Sequence, residues 1–218
     1  MPQNLIFDFD GTLADTFESA LELLNELAER RGFAAVSREK ALAMKELSAQ
    51  EIVRQSGIPA KEIPGTILEY RKMAQRRVAL LPPVPGMADT LRALHARGAR
   101  LGVVSSNGRD NILAFLRNNG LDRLFLFVHS ELSLFGKHRR LLAALRQHRL
   151  EAAQTLYIGD ETRDIEAARK AGLPVACVAW GFNSPELLRA HRPDYLLARP
   201  AELLDIAFPN PNQPPSAP

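Results

Sequence analysis

Cysteine is almost absent from this 218-residue chain; the one that occurs, Cys177, lies in the apolar run Pro174–Ala179. A single thiol excludes an internal disulfide and fits a reducing compartment. Its apolar neighbours mark it as an inert strand residue rather than a reactive one. Runs of positive charge are also missing. The net charge is +3, and the 28 Lys and Arg residues are spread along the chain without a basic run interleaved with aromatics. No nucleic-acid surface is therefore expected. Lysine itself is scarce, six of those 28, so a lysine in a loop attracts interest. No apolar run approaches the length that spans a bilayer. The chain enters a strand-like pattern by Leu5 with no basic leader or small-residue cleavage site. No membrane contact and a cytoplasmic location are expected.

What is present is the composition of an ordinary globular protein, 46% hydrophobic and 24% charged. A chain of this length buries roughly 70% of its unfolded surface and needs no staples. The apolar run Asn4–Phe9, ended by Asp10-Gly11, reads as a buried strand and turn. From Phe17 to Arg31, Leu21, Leu24, Leu27 and Ala28 recur at helical spacing and Gly32 closes the helix. Further helices are predicted over 37–47, 49–55 and 64–78, before the Pro-rich break Leu80–Gly86. The rhythm then becomes an alternation. Helices over 87–97, 109–118, 137–148 and 161–171 lead into strands at 100–104, 124–128, 155–158 and 174–179. A strand at 195–198 and a short helix follow. Continuous apolar strands between helices indicate a parallel sheet covered on both faces. The architecture expected is a doubly wound α/β core, residues 1–15 and 83–208, with an all-helical insertion, residues 16–82, after the first strand. The Pro-rich tail 209–218 is expected to be disordered.

Ligands of such sheets bind at the carboxyl ends of the strands, and four strand ends here carry chemistry. The first gives Asp8-Phe9-Asp10-Gly11-Thr12, two carboxylates suited to a hard cation if the chain turns after Asp8. The second gives Ser105-Ser106-Asn107-Gly108 ahead of a helix, where a hydroxyl and free N–H groups can hold a phosphate; taken alone it is equally a plain N-cap. The third gives Ser133-Leu-Phe-Gly136-Lys137. Glu131 and His138 stand where a nucleotide-binding P-loop needs Gly and Ser or Thr, so that loop is rejected. A lysine in a first helical turn opposes the helix dipole, a cost that an adjacent anion offsets. The fourth gives Gly159-Asp160-Glu-Thr-Arg-Asp164, whose two aspartates share one helix face. With Asp8 nearby, those carboxylates repel unless a cation neutralises them.

Acid, hydroxyl, lysine and acid pair, in that chain order on one rim, resemble the four motifs of the haloacid dehalogenase superfamily. The likeness runs to about residue 207. The helical insertion and the segments Trp180-Gly-Phe-Asn183 and Pro193-Asp-Tyr-Leu196 are similar to its phosphoglycolate-phosphatase-like branch. The resemblance implies a Rossmann-type core with a helical cap, and a Mg2+-dependent phosphatase acting on a small phosphorylated metabolite. It implies Asp8 as nucleophile and Asp10 as general acid and base. Mg2+ would be held by Asp8, the Asp10 carbonyl and Asp160, with Asp164 acting through water or orienting Lys137. Ser105, the Ser106 N–H and Lys137 would bind the phosphoryl oxygens. Asp10 argues against dehalogenation, whose enzymes lack that carboxylate. A sugar-phosphate mutase and a non-catalytic phosphometabolite-binding module are the alternatives. A Schiff-base role for Lys40 or Lys45 is less expected than exposed helix lysines. The segment Met44–Ser48 is the candidate for substrate choice, and it departs from the branch's glycine-containing pattern.

Overall fold

The computed structural model describes residues 2–130 and 136–209, without the side chains of residues 75 and 76. The tail beyond residue 209 and the Ser133–Phe135 part of the third motif lie outside the described residues.

Short apolar runs separated by helices are suited to parallel pairing, because each helix supplies the crossover that a parallel return needs. Six strands do so: β1 (Asn4–Phe7), β2 (Arg100–Ser105), β3 (Phe125–Ser130), β4 (Thr155–Gly159), β5 (Val175–Val178) and β6 (Tyr195–Leu197). Their spatial order is 3-2-1-4-5-6, and every pairing is parallel. The order reverses between β1 and β4, which opens a crevice at their carboxyl ends.

Side chains alternate across the sheet and feed two cores. Leu5, Phe7, Val103 and Ile158 pack with Met87, Leu91 and Leu94 of α5 (Met87–Ala96) and with Ile112 and Phe115 of α6 (Arg109–Asn118). Ile6, Val104, Tyr157, Val175 and Cys177 face Leu141 and Ala144 of α7 (Lys137–Gln147) and Ile165 and Ala168 of α8 (Thr162–Lys170). Cys177 is fully buried and its thiol is pushed up by that burial, as the sequence suggested.

Four helices intervene between β1 and α5: α1 (Phe17–Arg31), α2 (Arg38–Ala43), α3 (Ala49–Gln55) and α4 (Ile63–Val78). Gly32 ends α1 in the left-handed conformation, its N–H donating to Glu29, and α3 opens on a full Ser48/Glu51 capping box. The chain leaves the sheet and returns to it side by side. The Val84 N–H donates to the Leu13 carbonyl at 3.0 Å, and Ala14 bridges Pro83.

Some elements differ from expectation. β1 ends at Phe7, because the chain turns to present Asp8. The helix expected over 37–47 is instead α2 followed by a 3-10 turn, Met44–Glu46. The helix α9 (Pro185–Ala190) was not foreseen; a short α10 (Glu202–Ala207) closes the fold. Among the described residues, no helix is long and apolar enough to cross a membrane.

Candidate active site

Past the last residue of β1, the Asp8 N–H donates to the Ile158 carbonyl at 2.8 Å, which fixes its side chain at the mouth of the crevice. The chain then winds into a tight loop in which the Leu13 and Ala14 N–H groups both donate to the Phe9 carbonyl. Gly11 adopts φ +70°, and a Cβ there would overlap the Asp160 carboxylate and the Phe182 ring. Only glycine meets both demands. The fourth motif starts α8, where the Asp160 and Glu161 N–H groups donate to Asp164 Oδ2 at 3.1 and 3.0 Å. Asp164 is thereby aimed back at β4 rather than outwards.

The result is one acidic cluster. Carboxylate oxygens of Asp8, Asp160 and Asp164, all buried, lie within 4.8 Å of one another. Lys137 enters from α7, itself buried, and donates to Asp8 Oδ2 at 2.7 Å and Asp164 Oδ1 at 2.5 Å. Burial disfavours its ammonium, but Asp164 and Asp8 outweigh that cost and hold its pKa above the usual lysine range. Burial likewise penalises the Asp164 carboxylate, yet Lys137 and Arg163 outweigh it and its pKa falls. Asp160 is shifted the other way. Burial, then Glu161, Asp164 and Asp8, push its carboxyl well above the usual range.

A hard divalent cation fits this arrangement. Asp8 Oδ1 is buried and finds no hydrogen-bond partner among the described residues. An oxygen so placed costs free energy unless something positive meets it. Asp8, Asp160, Glu161 and Asp164 also outnumber Lys137 and Arg163, and an all-oxygen donor set suits Mg2+ or a similar ion.

Asp10 stands apart from the triad. Asn107 Nδ2 donates to both of its oxygens, at 3.1 and 3.0 Å, and Asn107 Oδ1 in turn accepts from Asn111. Withdrawal from water raises the Asp10 carboxyl to about 6, with the Asn107 hydrogen bond opposing and the Asp8 charge reinforcing. Ser105 is buried at the end of β2, its Oγ accepting from the Asn107 N–H at 3.1 Å; Ser106 follows, half-buried.

The model of the "Haloacid dehalogenase-like hydrolase" family matches residues 5–178, which span all four motifs. The chain belongs to this family. It is 36% identical over 202 residues to a phosphoglycolate phosphatase of Synechococcus elongatus, covering 93% of this chain and 95% of the relative. It is 30% identical over 210 residues to the pyrophosphatase PpaX of Listeria monocytogenes, covering 93% and 94%. The fold is similar to that of a haloacid dehalogenase-like family protein from Streptococcus pneumoniae, with a TM-score of 0.79 at 20% identity over 94% of this chain and 98% of that one.

Around these hydrolase motifs stand further residues to which the sequence assigned no place in the site. The Thr12 hydroxyl donates to Asp160 Oδ1 and the Phe182 N–H to Asp160 Oδ2, both at 2.8 Å. The Tyr157 hydroxyl donates to Asp164 Oδ1 at 3.1 Å. Arg163 pairs with Glu161 at 2.6 Å, and Arg140 Nη1 donates to the Ser105 carbonyl at 3.2 Å. Tyr70, on α4, has its phenol pushed up by burial and by the Asp10 charge. Lys45 lies over the Phe17 ring, 4.6 Å from its centre, and partial burial lowers its pKa against the pull of Asp160, Asp15 and Glu18. Lys40, by contrast, is on the exposed face of α2. Thr12 and Asn107 sit inside the first and second motifs and Phe182 in the segment Trp180–Asn183, so each had a signal; Tyr157, Arg140 and Tyr70 had only their proximity in space.

Proposed function

We propose that the chain is a Mg2+-dependent phosphatase that hydrolyses a small phosphate monoester through an aspartyl-phosphate on Asp8. The observation that carries this reading is the state of Asp8. Lys137 holds one of its oxygens, and the other lies buried beside two further carboxylates with no partner among the described residues.

Mg2+ would be held by Asp8, the Asp10 carbonyl and Asp160, with Asp164 alongside, and it supplies positive charge to the transferring phosphoryl group. The chain's own groups do the rest. Asp8 attacks phosphorus; a bond from its carboxylate oxygen to phosphorus forms as the bond from phosphorus to the ester oxygen breaks. Asp10 gives its proton to the departing alkoxide. It then takes a proton from water, which attacks the acyl phosphate and frees Asp8 and inorganic phosphate. A carboxyl near 6 suits both duties at neutral pH. Ser105, the Ser106 N–H and Lys137 bind the phosphoryl oxygens and hold them in line.

Residues 16–82 act as a cap over the core formed by 1–15 and 83–208, hinged where Leu13–Asp15 and Pro82–Val84 run side by side. Cap closure excludes water. The segment Met44–Ser48, with Lys45 facing the acidic rim, chooses among small anionic esters such as phosphoglycolate-like or sugar phosphates. The cytoplasm is the expected compartment.

A panel of phosphate esters and pyrophosphate, assayed for released phosphate with and without Mg2+, tests this. Turnover should require the metal and fall at least about 10³-fold in Asp8→Asn. Near-normal turnover in that variant would remove Asp8 as nucleophile. Isomer conversion without phosphate release would make the protein a mutase.

A further inference from the structure

The loop from β5 to α9 is outside the acidic cluster yet ties it to the helical insertion. Asn183 is 4% exposed and spends its whole side-chain amide on three backbone groups, one in α8 and two in the helical insertion. Its Oδ1 accepts from the Thr162 N–H at 2.9 Å, in the first turn of α8. Its Nδ2 donates to the Leu47 carbonyl at 3.0 Å and to the Lys45 carbonyl at 3.3 Å. A backbone N–H at one end and two carbonyls at the other leave the amide a single satisfied orientation. The next residue adds to the same contact, the Ser184 N–H donating to the Lys45 carbonyl at 2.9 Å. On the inner side, the Asn183 N–H donates to the Asp160 carbonyl at 3.3 Å. The Phe182 ring meets Phe17 of α1 with centres 6.0 Å apart.

From this geometry we infer that Asn183 is a positioning residue, a latch that fastens the cap segment Lys45–Leu47 to the start of α8 and so holds the cap closed over the phosphoryl site. The inference rests on the cap and phosphatase reading above. Admitting a substrate by swinging the insertion away must break the bonds to the Lys45 and Leu47 carbonyls, and closing must remake them. The latch joins the same turn that carries Asp160 and Asp164, so closure and the setting of the acidic cluster are one mechanical event. Asn183 touches neither substrate nor metal in this role; it acts through the segment that does the choosing.

Two variants separate the halves of the latch. Asn183→Asp keeps the size and the acceptor for Thr162 but removes both donors to the cap; Asn183→Ala removes everything. The direct reporter is hydrogen exchange of the Ser184 N–H, which the Lys45 carbonyl protects. The Leu188 N–H, bonded to the Ser184 carbonyl within α9, is the control. With each net hydrogen bond worth about a fivefold bias, Ser184 exchange should quicken roughly tenfold or more in both variants, with Leu188 unchanged. KM for p-nitrophenyl phosphate should rise by a similar roughly tenfold factor while kcat moves far less, because the closed, competent population shrinks. Unchanged Ser184 exchange in Asn183→Asp overturns the latch. So does equal acceleration at Ser184 and Leu188, which would mean a loosened α9 instead. Absence of turnover on every ester would refute the phosphatase reading, while the exchange result still decides the latch.

Discussion

Lys137 and Asp160 make opposite contributions to the same buried cluster, and their removal should show it. Taking away the Lys137 ammonium strands Asp8 and Asp164 as buried charges. Lys137→Met is expected to lose about 3–5 kcal/mol of stability in EDTA, measured by urea unfolding. Asp160→Asn should do the reverse and raise the metal-free melting temperature, since its carboxylate is held where ionisation is disfavoured. The pH dependence has a definite sign. The folded pKa values of Asp160 and Asp10 are raised, so the folded chain binds more protons than the unfolded one above about pH 4. Their contribution is present at low pH and fades as pH rises through about 6 for Asp10. Metal-free Tm should therefore drop across that window in the wild type, and drop less in Asp160→Asn; a flat difference between the two would contradict the assignment. At this scale the motif residues Asp8, Asp10, Ser105, Lys137, Asp160 and Asp164 were legible, because a charged or hydroxyl residue at the end of an apolar run has few bland uses in combination. The roles of Asn107, Tyr157 and Phe182 were not. Their contribution depends on which strand lies beside which.

Helix α8 and the loop before α9 position the cluster through backbone proximity. A Cβ on Gly181 would overlap the Asp160 side chain. Gly181→Ala is expected to displace that carboxylate and weaken Mg2+ binding by about 10–100-fold, the usual cost of disturbing a ligand's support; calorimetric titration with Mg2+ reads it. In the insertion, the Ser48/Glu51 capping box starts α3 next to the segment that the latch holds. Ser48→Ala should cost about 1 kcal/mol of helix stability, seen as faster amide exchange across α3. The elements themselves were largely visible in the sequence, α1 to its last residue, because Gly32 and the leucine spacing are local signals. The break of the helix expected over 37–47 was not visible. Its 3-10 turn lies where the Lys45 and Leu47 carbonyls accept from Asn183 and Ser184, partners more than a hundred residues away. Helix α9 was missed for a different reason: its Ser184 cap and Pro185 were legible signals, but six residues carry too little periodicity to register.

For the whole molecule, the proposed metal site predicts a stability that depends on a cation. Mg2+ at about 100 times its dissociation constant should stabilise the fold by roughly 2.7 kcal/mol, and the effect should vanish in Asp160→Asn; thermal melts with and without the ion measure it, and an equal shift in both proteins would place the ion elsewhere. The sequence by itself determined the fold class and the chemical inventory. Apolar runs alternating with amphipathic helices point to a parallel, two-sided sheet, and residues at the carboxyl ends of its strands fall on one rim. What only the tertiary structure decided was adjacency: that β4 flanks β1 so that Asp8, Asp160 and Asp164 share one space, that Asp10 is parked on Asn107, and that the loop after β5 reaches the cap. Local patterns fix which groups a chain offers, but distances between groups a hundred residues apart are set by strand order and packing, which no local pattern encodes.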